Sequence, residues 1–524
     1  MSLKTVFGND GRIDRRTVLR GGLAGLGAAY VLPWSASTAQ AHGGRQFTLG
    51  VASGDPEPHA VVIWTRLAPE PLTPDGGMPA HPVPVHWEVA RDPQMRHVVR
   101  RGTALALPHA AHTVHVTVDE LDPDRWYFYR FFARGEDSPI GRTRTFPRGG
   151  DACARMRFGL VSCQDFQNGF FSAYAHLAAE DLDFVVHVGD YIYEDGTRAG
   201  APRTVSGGEI DTLADYRIRY AEYHLDPALQ AAHAAFPFIA TFDDHEVENN
   251  YAGAISEDAV DPALFLERRA RAYQAYYENL PLRDAQRPRG SAIHIFRRLR
   301  FGRLATLHVL DTRQHRTDQP CGDGLKPVCA ETLSPTATMT GAVQEAWLQR
   351  GLDRSDATWN VLAQQVMFTK WNIQRGAGAP VPIFNMDAWD GYVAARQRLL
   401  DFLAARGPSN PIILSGDIHS SWAANILENF EQPDAGIVAA EFVGTSITSD
   451  FPAAFVPAVQ VTLPDNPHIR YFEGLHHGYL RFDVTPGLWR ADVRGVDSIL
   501  TPTSPVNTLA SFVVQAGLSG ITPA

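Results

Sequence analysis

The sequence predicts a layered α/β domain preceded by a small all-β sandwich, and three observations carry that prediction. Short β-branched and aromatic runs separated by turn residues fill the first part of the chain. After Phe146 the texture changes to apolar strands alternating with helix-like segments, the pattern of a layered α/β fold. Four of the apolar runs then stop on clusters of Asp, His, Tyr or Cys.

Asp14-Arg15-Arg16-Thr17-Val18-Leu19-Arg20 opens a charged region, followed by a Gly-rich apolar run from Gly21 to about Leu32 and by Ala39-Gln40-Ala41. A positive region, a short apolar core and a small-x-small site make a secretory signal over residues 1–41, and the paired arginines point to the twin-arginine route. The run is shorter than the roughly 20 residues of a membrane-spanning helix. The expected product is therefore exported, periplasmic or extracellular, with no transmembrane anchor. Net charge is −11, and the signal carries more basic than acidic residues, so its removal leaves the chain more acidic still. That balance disfavours stable nucleic-acid binding, which needs Lys and Arg to neutralise phosphates.

Residues 42–150 read as the sandwich. Its strands are Ala60 to Thr65, Val85 to Val89, Thr113 to Val118 and Trp126 to Phe131, with Val114, Val116 and Val118 alternating onto one face. His86, His112 and His115 lack convergent partners and read as surface or satisfied strand residues. Pro147-Arg148-Gly149-Gly150-Asp151 is the linker, and residues 151–524 form the α/β domain. Its helices are Phe171 to Ala179, Ala263 to Leu280 and Val343 to Leu352, the second announced by Asp261-Pro262 as N-cap and first helical residue. Further strands are Leu304 to Leu310, Asn360 to Met367 and Tyr479 to Val484. Gly196 to Gly208 and Arg375 to Pro382 read as loops without identifiable chemistry. Cys321 and Cys329 bracket a short Gly/Pro-containing loop, which suits a local disulfide in an oxidising compartment.

The four runs are FGLVSCQD, DFVVHVGDYIYE, FIATFDDHEVENN and IILSGDIHSSW. Ligands of α/β sheets bind beyond the carboxyl ends of the strands, so four such ends in one chain predict one assembled site. Asp190 and Tyr193 offer a carboxylate and a phenol to one cation, and a carboxylate directly after a strand can bridge two metals. Asp417 and His419 point alike from an extended segment. Asp243, Asp244, His245 and Glu246 supply hard oxygens and an imidazole, and Asn249 and Asn250 add neutral oxygens suited to Ca²⁺. Cys163 adds a soft thiolate that favours a transition metal. His245 to Asn249 is no zincin helix, because Asn249 stands where the second histidine would be.

Together SCQD, GDYIYE, DDHEVENN and GDIHSSW resemble the PhoD-type alkaline phosphatases, within the calcineurin-like metallophosphoesterase architecture. SGDPEPHAVVIWTRL, LDTRQHR, AWDGY and HHGYLRFDV extend the resemblance over nearly the whole mature chain. It implies Fe³⁺ held by Cys163, Asp190, Tyr193 and His419, with Ca²⁺ served by Asp417, Asp244 and Asn250, and Asp190 shared. DDHE stands where related phosphoesterases have GNHE, so Asp244 replaces an amide by a carboxylate, in keeping with Ca²⁺. Asn249 is the alternative to Asn250.

The expected chemistry is hydrolysis of phosphate monoesters, and of diesters such as phospholipid or nucleotide substrates, by metal-activated water. His245 is the expected catalytic residue, as phosphate contact or leaving-group acid, or else it orients a ligand. Arg313, Arg316 and Asp390 would shape the pocket or form surface salt bridges, and His476 and His477 have no assigned part. The rivals are a phosphodiesterase of phospholipase D type and, from another class, a secreted metal- or carbohydrate-binding protein.

Overall fold

The computed structural model describes residues 45–374, 381–432 and 434–524. The expected signal over 1–41 and most of the expected loop at 375–382 lie outside them. Two sheets pack face to face. One has ten strands, in the order Thr522–Pro523, Val506–Gln515, Leu488–Val496, His477–Val484, Met156–Val161, Phe184–His187, Pro237–Ala240, Val51–Gly54, Val61–Arg66 and Thr113–Val118. The other has seven, in the order Arg297–Phe301, Ala305–Val309, Trp359–Ala363, Pro411–Ser415, Ile437–Val443, Ser421–Leu427 and Ile469–Glu473.

Strands in the middle of both sheets read as continuous apolar runs because both faces are covered. Phe158, Leu160, Phe184, Val186 and Ile239 meet Leu307, Val361, Ile412, Leu414 and Phe442 between the sheets. Phe158 and Phe184 stack with centroids 5.0 Å apart. The outer face of the ten-stranded sheet is covered by the helices Ser172–Ala179, Leu213–His224, Pro227–Ala235 and Pro262–Asn279 through Leu177, Tyr216, Tyr220, Leu229, Ala272 and Tyr276. Helices Gly341–Asp353 and Val393–Arg406 cover the seven-stranded sheet through Leu348, Leu352, Leu399 and Leu403. The expected start of the long helix is present: Asp261 Oδ1 accepts the Ala263 N–H at 2.8 Å, and Pro262 is the first helical residue.

The all-β portion is joined to the rest of the chain through the large sheet. One layer of its sandwich, the sheet built on Val83–Ala90, Val98–Ala106 and Trp126–Ala133, is its own. The other layer is the end of the ten-stranded sheet, because Val51–Gly54 lies parallel to Pro237–Ala240, with Ser53 opposite Pro237. Val61, Ile63, Val85, Val114 and Phe131 fill the space between them. The strand expected over Asn360 to Met367 stops at Ala363, because Gln364 and Gln365 turn their amides to neighbouring strand ends. Cys321 and Cys329 are disulfide-bonded.

Candidate metal centre

Met156–Val161, Phe184–His187 and Pro237–Ala240 run parallel in one sheet. Ala305–Val309, Trp359–Ala363, Pro411–Ser415 and Ile437–Val443 run parallel in the other. Cys163, Asp190 and the Asp243-Asp244-His245 turn follow the first set; Arg313, Asp417, His419 and Ser449 follow the second. Cys163, Asp190, Asn250, Asp417 and His419 all take left-handed backbone conformations, with φ between 51° and 66°. Each non-glycine residue held so costs on the order of 1–3 kcal/mol, and such strain concentrates where function needs it. The glycines before the two aspartates permit close approach. A Cβ on Gly189 would lie 2.5 Å from Asp243 Cβ, and one on Gly416 would lie 2.6 Å from Ser162 Oγ.

Three sets of side chains each bring one ligand atom per residue within 4.8 Å of one another: Cys163, Asp190 and His419; Asp190, Asp244 and His245; and Asp243, Asp244 and Asp417. Asp190 belongs to the first two sets and Asp244 to the last two, so the donors form a continuous chain. Tyr193 joins the first set, its hydroxyl 3.0 Å from Asp190 Oδ2 and 3.2 Å from His419 Nε2. Asn250 donates its backbone N–H to Asp244 Oδ2 at 2.7 Å and its amide to Asp323 Oδ2 at 3.0 Å.

The donor set fits cations. Asp190 Oδ1, Asp243 Oδ2, Asp244 Oδ1, Asn250 Oδ1 and Asp323 Oδ1 are buried acceptors without a hydrogen-bond partner. Each such group costs about 1–3 kcal/mol unless something meets it. Burial, reinforced by neighbouring carboxylates, pushes the Asp190 carboxyl far above its ordinary range. Asp243 is likewise raised by burial, against the pull of Arg313. Burial raises the Cys163 thiol and the Tyr193 phenol as well, with the Asp190 charge next in effect. A bound cation inverts this electrostatic logic, stabilising the ionised forms of thiol, phenol and carboxyl.

Arg313 is the protein's own cation here. Its guanidinium binds Asp243 and donates to Asp387 at 2.8 Å, and it lies 3.6 Å from Asp244 and 3.7 Å from Asp417. Arg316 adds a 2.6 Å bond to Asp387. Burial disfavours the Arg313 charge, but Asp243, Asp244 and Asp387 hold it firmly protonated. Both arginines are fully buried, which overturns the surface-salt-bridge alternative for them. Asp390 is buried too, but it takes the Trp371 N–H and Arg396, so it supports a loop rather than a pocket.

Glu246 is not aimed at the cluster as a ligand. Its two oxygens accept the backbone N–H groups of Asp190, Tyr191 and Asp243 at 3.1, 2.7 and 2.9 Å. His245 hydrogen-bonds Glu194 Oε2 through Nδ1 at 2.6 Å and lies against the Tyr193 ring at 4.1 Å. Asn249 is turned away, its amide on exposed Glu257. His476 pairs with Glu473, and His477 with Ser446. The loop at 196–208 carries Arg198, which binds Asp165 at 2.5 Å.

Ser449, Asp323, Asp387 and Glu194 were not singled out from sequence. The repeated acid of Asp243-Asp244 was a signal for the first of its carboxylates, and Glu194 closes the GDYIYE motif; Ser449, Asp323 and Asp387 sit in stretches without a pattern.

The profile of the PhoD-like phosphatase family matches residues 158–493, and that of the PhoD-like phosphatase N-terminal domain matches residues 34–147. Alkaline phosphatase D of Bacillus subtilis (strain 168) is 46% identical over 521 residues, covering 97% of this chain and 88% of that protein. A solved structure of PhoD superposes with a TM-score of 0.88 at 47% identity, covering 91% of this chain and 92% of that one.

Proposed function

The chain belongs to the PhoD-like phosphatase family and is a phosphate-ester hydrolase, and we propose that it works outside the cytoplasm as an iron- and calcium-dependent phosphomonoesterase that also accepts diesters. Export rests on the Asp14 to Arg20 region and Ala39-Gln40-Ala41. No helix among the described residues is long and apolar enough to cross a membrane. The observation that carries the metal reading is the pairing of two unlike donor sets through Asp190. Cys163, Tyr193 and His419 supply soft and phenolic donors on one side, and Asp244, Asp417 and Asn250 supply hard oxygens on the other.

When bound, the cations supply Lewis acidity, drawing charge from phosphoryl oxygens and acidifying water. The chain's own residues do the rest. Asp190 would serve both donor sets, its backbone held by Glu246. Arg313, occupied with Asp243 and Asp387, keeps the acidic side chains from repelling one another. Glu194 fixes the His245 ring through Nδ1, leaving Nε2 to carry a proton to the departing alkoxide. His245→Asn should then lose roughly 10²–10⁴-fold on alkyl phosphates and far less on an aryl ester with a good leaving group. Equal losses on both would make His245 an orienting residue.

Metal analysis and a visible spectrum test the metal reading together. Iron with calcium, and a charge-transfer band absent from Tyr193→Phe, support it; zinc alone, or active protein without metal, overturns it. Turnover of a monoester against a bis-ester under the same conditions decides whether diesters are the better substrates, as in a phosphodiesterase of phospholipase D type.

A further inference from the structure

Ser449 touches Tyr193, a candidate iron ligand, without belonging to the donor set. It is buried, and it follows the strand Ile437–Val443 at the carboxyl end of the seven-stranded sheet. Its hydroxyl oxygen lies 2.6 Å from Tyr193 Oη and 2.8 Å from the Cys163 carbonyl oxygen, and it accepts the Asp165 N–H at 3.2 Å. A serine has one proton to give. The Cys163 carbonyl already accepts the backbone N–H groups of Thr448 and Ser449, at 3.3 and 3.2 Å. It can therefore do without the serine proton.

Tyr193 cannot. Resting on the iron reading above, the phenol binds as phenolate and has lost its own proton. Its other polar neighbours bring lone pairs and no hydrogen: Asp190 Oδ2 is a carboxylate oxygen, and the His419 ring keeps its hydrogen on Nδ1, 3.1 Å from the Asp450 carbonyl oxygen, which leaves Nε2 bare. Among the described residues, Ser449 Oγ is the remaining group at hydrogen-bond distance from that oxygen. A hydrogen bond to an ionised acceptor is shorter and about twice as strong as a neutral one, so the proton turns from the carbonyl to the phenolate.

We infer that Ser449 is a positioning residue that donates its hydroxyl hydrogen to the Tyr193 phenolate and thereby limits how much charge that ligand passes to the metal. Partners of this kind tune a metal through the ligand they touch. Without the donor, charge concentrates on the phenolate oxygen, its filled orbitals rise, and the phenolate-to-iron transition falls in energy. The iron(III) state is stabilised at the same time, so the reduction potential drops.

The test uses the whole mature protein as isolated, reading iron content and the visible band of wild type, Ser449→Ala and Ser449→Thr. The expected result is a band at longer wavelength in Ser449→Ala at unchanged iron content, with Ser449→Thr, which keeps the hydroxyl, close to wild type. An unmoved band in fully loaded Ser449→Ala overturns the inference and returns the proton to the Cys163 carbonyl. Should Ser449→Ala fail to hold iron, resonance Raman of wild type in H₂O and D₂O decides. A deuterium shift of the phenolate modes supports the hydrogen bond, and none overturns it. Absence of any band from the wild type is a different failure, since it removes the iron reading itself.

Discussion

Each sheet ties its strand ends with one buried glutamate, and the two glutamates differ in what they hold. Glu246, beyond the ten-stranded sheet, accepts the N–H groups of Asp190, Tyr191 and Asp243. Glu441, within the seven-stranded sheet, accepts those of Phe368 and Thr369 at 2.7 Å and the Ser415 hydroxyl at 2.6 Å. Burial pushes both up to about 7. The first holds the backbone of Asp190 and Asp243, whose side chains are metal-capable; the second holds the Phe368-Thr369 segment and Ser415, two residues before Asp417. Similar devices thus serve placement of ligands in one sheet and support of the scaffold in the other.

The harshest way to break the comparison is to remove the cation lying between the two ends. Arg313→Met leaves Asp243, Asp244, Asp387 and Asp417 crowded, and breaking a buried ion pair from one side costs about 3–5 kcal/mol. Urea unfolding in EGTA should show that loss, and added Ca²⁺ should recover part of it by mass action. A variant as stable as wild type without calcium would mean that Arg313 does not hold the carboxylates together.

Glu246→Gln comes next. A glutamine presents one acceptor oxygen and turns an amide hydrogen toward a backbone N–H, so the turns at Asp190 and Asp243 loosen. Metal affinity and activity should fall roughly 10–100-fold, the range for partners that orient ligands. Glu441→Gln should keep its metal content, which titration with each ion checks. Equal loss in both variants would erase the distinction drawn between the two glutamates.

A third effect is one of pH. Glu441 has a folded value of about 7 against 4.5 for an ordinary glutamate. Between those values the folded state binds more protons than the unfolded one, so stability falls as pH rises through this window and levels off above 7. The wild-type-minus-Glu441→Gln difference in urea stability should therefore decline from pH 4.5 to 7, by up to about 3 kcal/mol. A flat difference would mean that Glu441 is ionised throughout.

Which residues were legible in the sequence follows from how they are placed. Cys163, Asp190, Tyr193, Asp244, Asp417 and His419 lie just past apolar runs, so a strand and its terminal ligand read as one pattern. The Asp261-Pro262 helix start was legible for the same reason: it is local. Arg313 and Arg316 were visible only as charges, because burial against Asp387 is set by folding. Ser449 and Asp323 reach the site through contacts with Tyr193 and Asn250 that no spacing announces. The joining of the β portion to the large sheet was hidden too, since Val51–Gly54 is a four-residue strand with no periodicity to read.

That short strand decides what can be cut from this protein. Residues 151–524 alone would expose Pro237–Ala240 as an open edge, a row of unpaired N–H and C=O groups that recruits other chains. The severed piece should aggregate on expression, and adding the 42–150 segment in trans should lower its turbidity by capping that edge. On that outcome the amino-terminal region would act as a guard against self-association, made of the same backbone that completes the sheet.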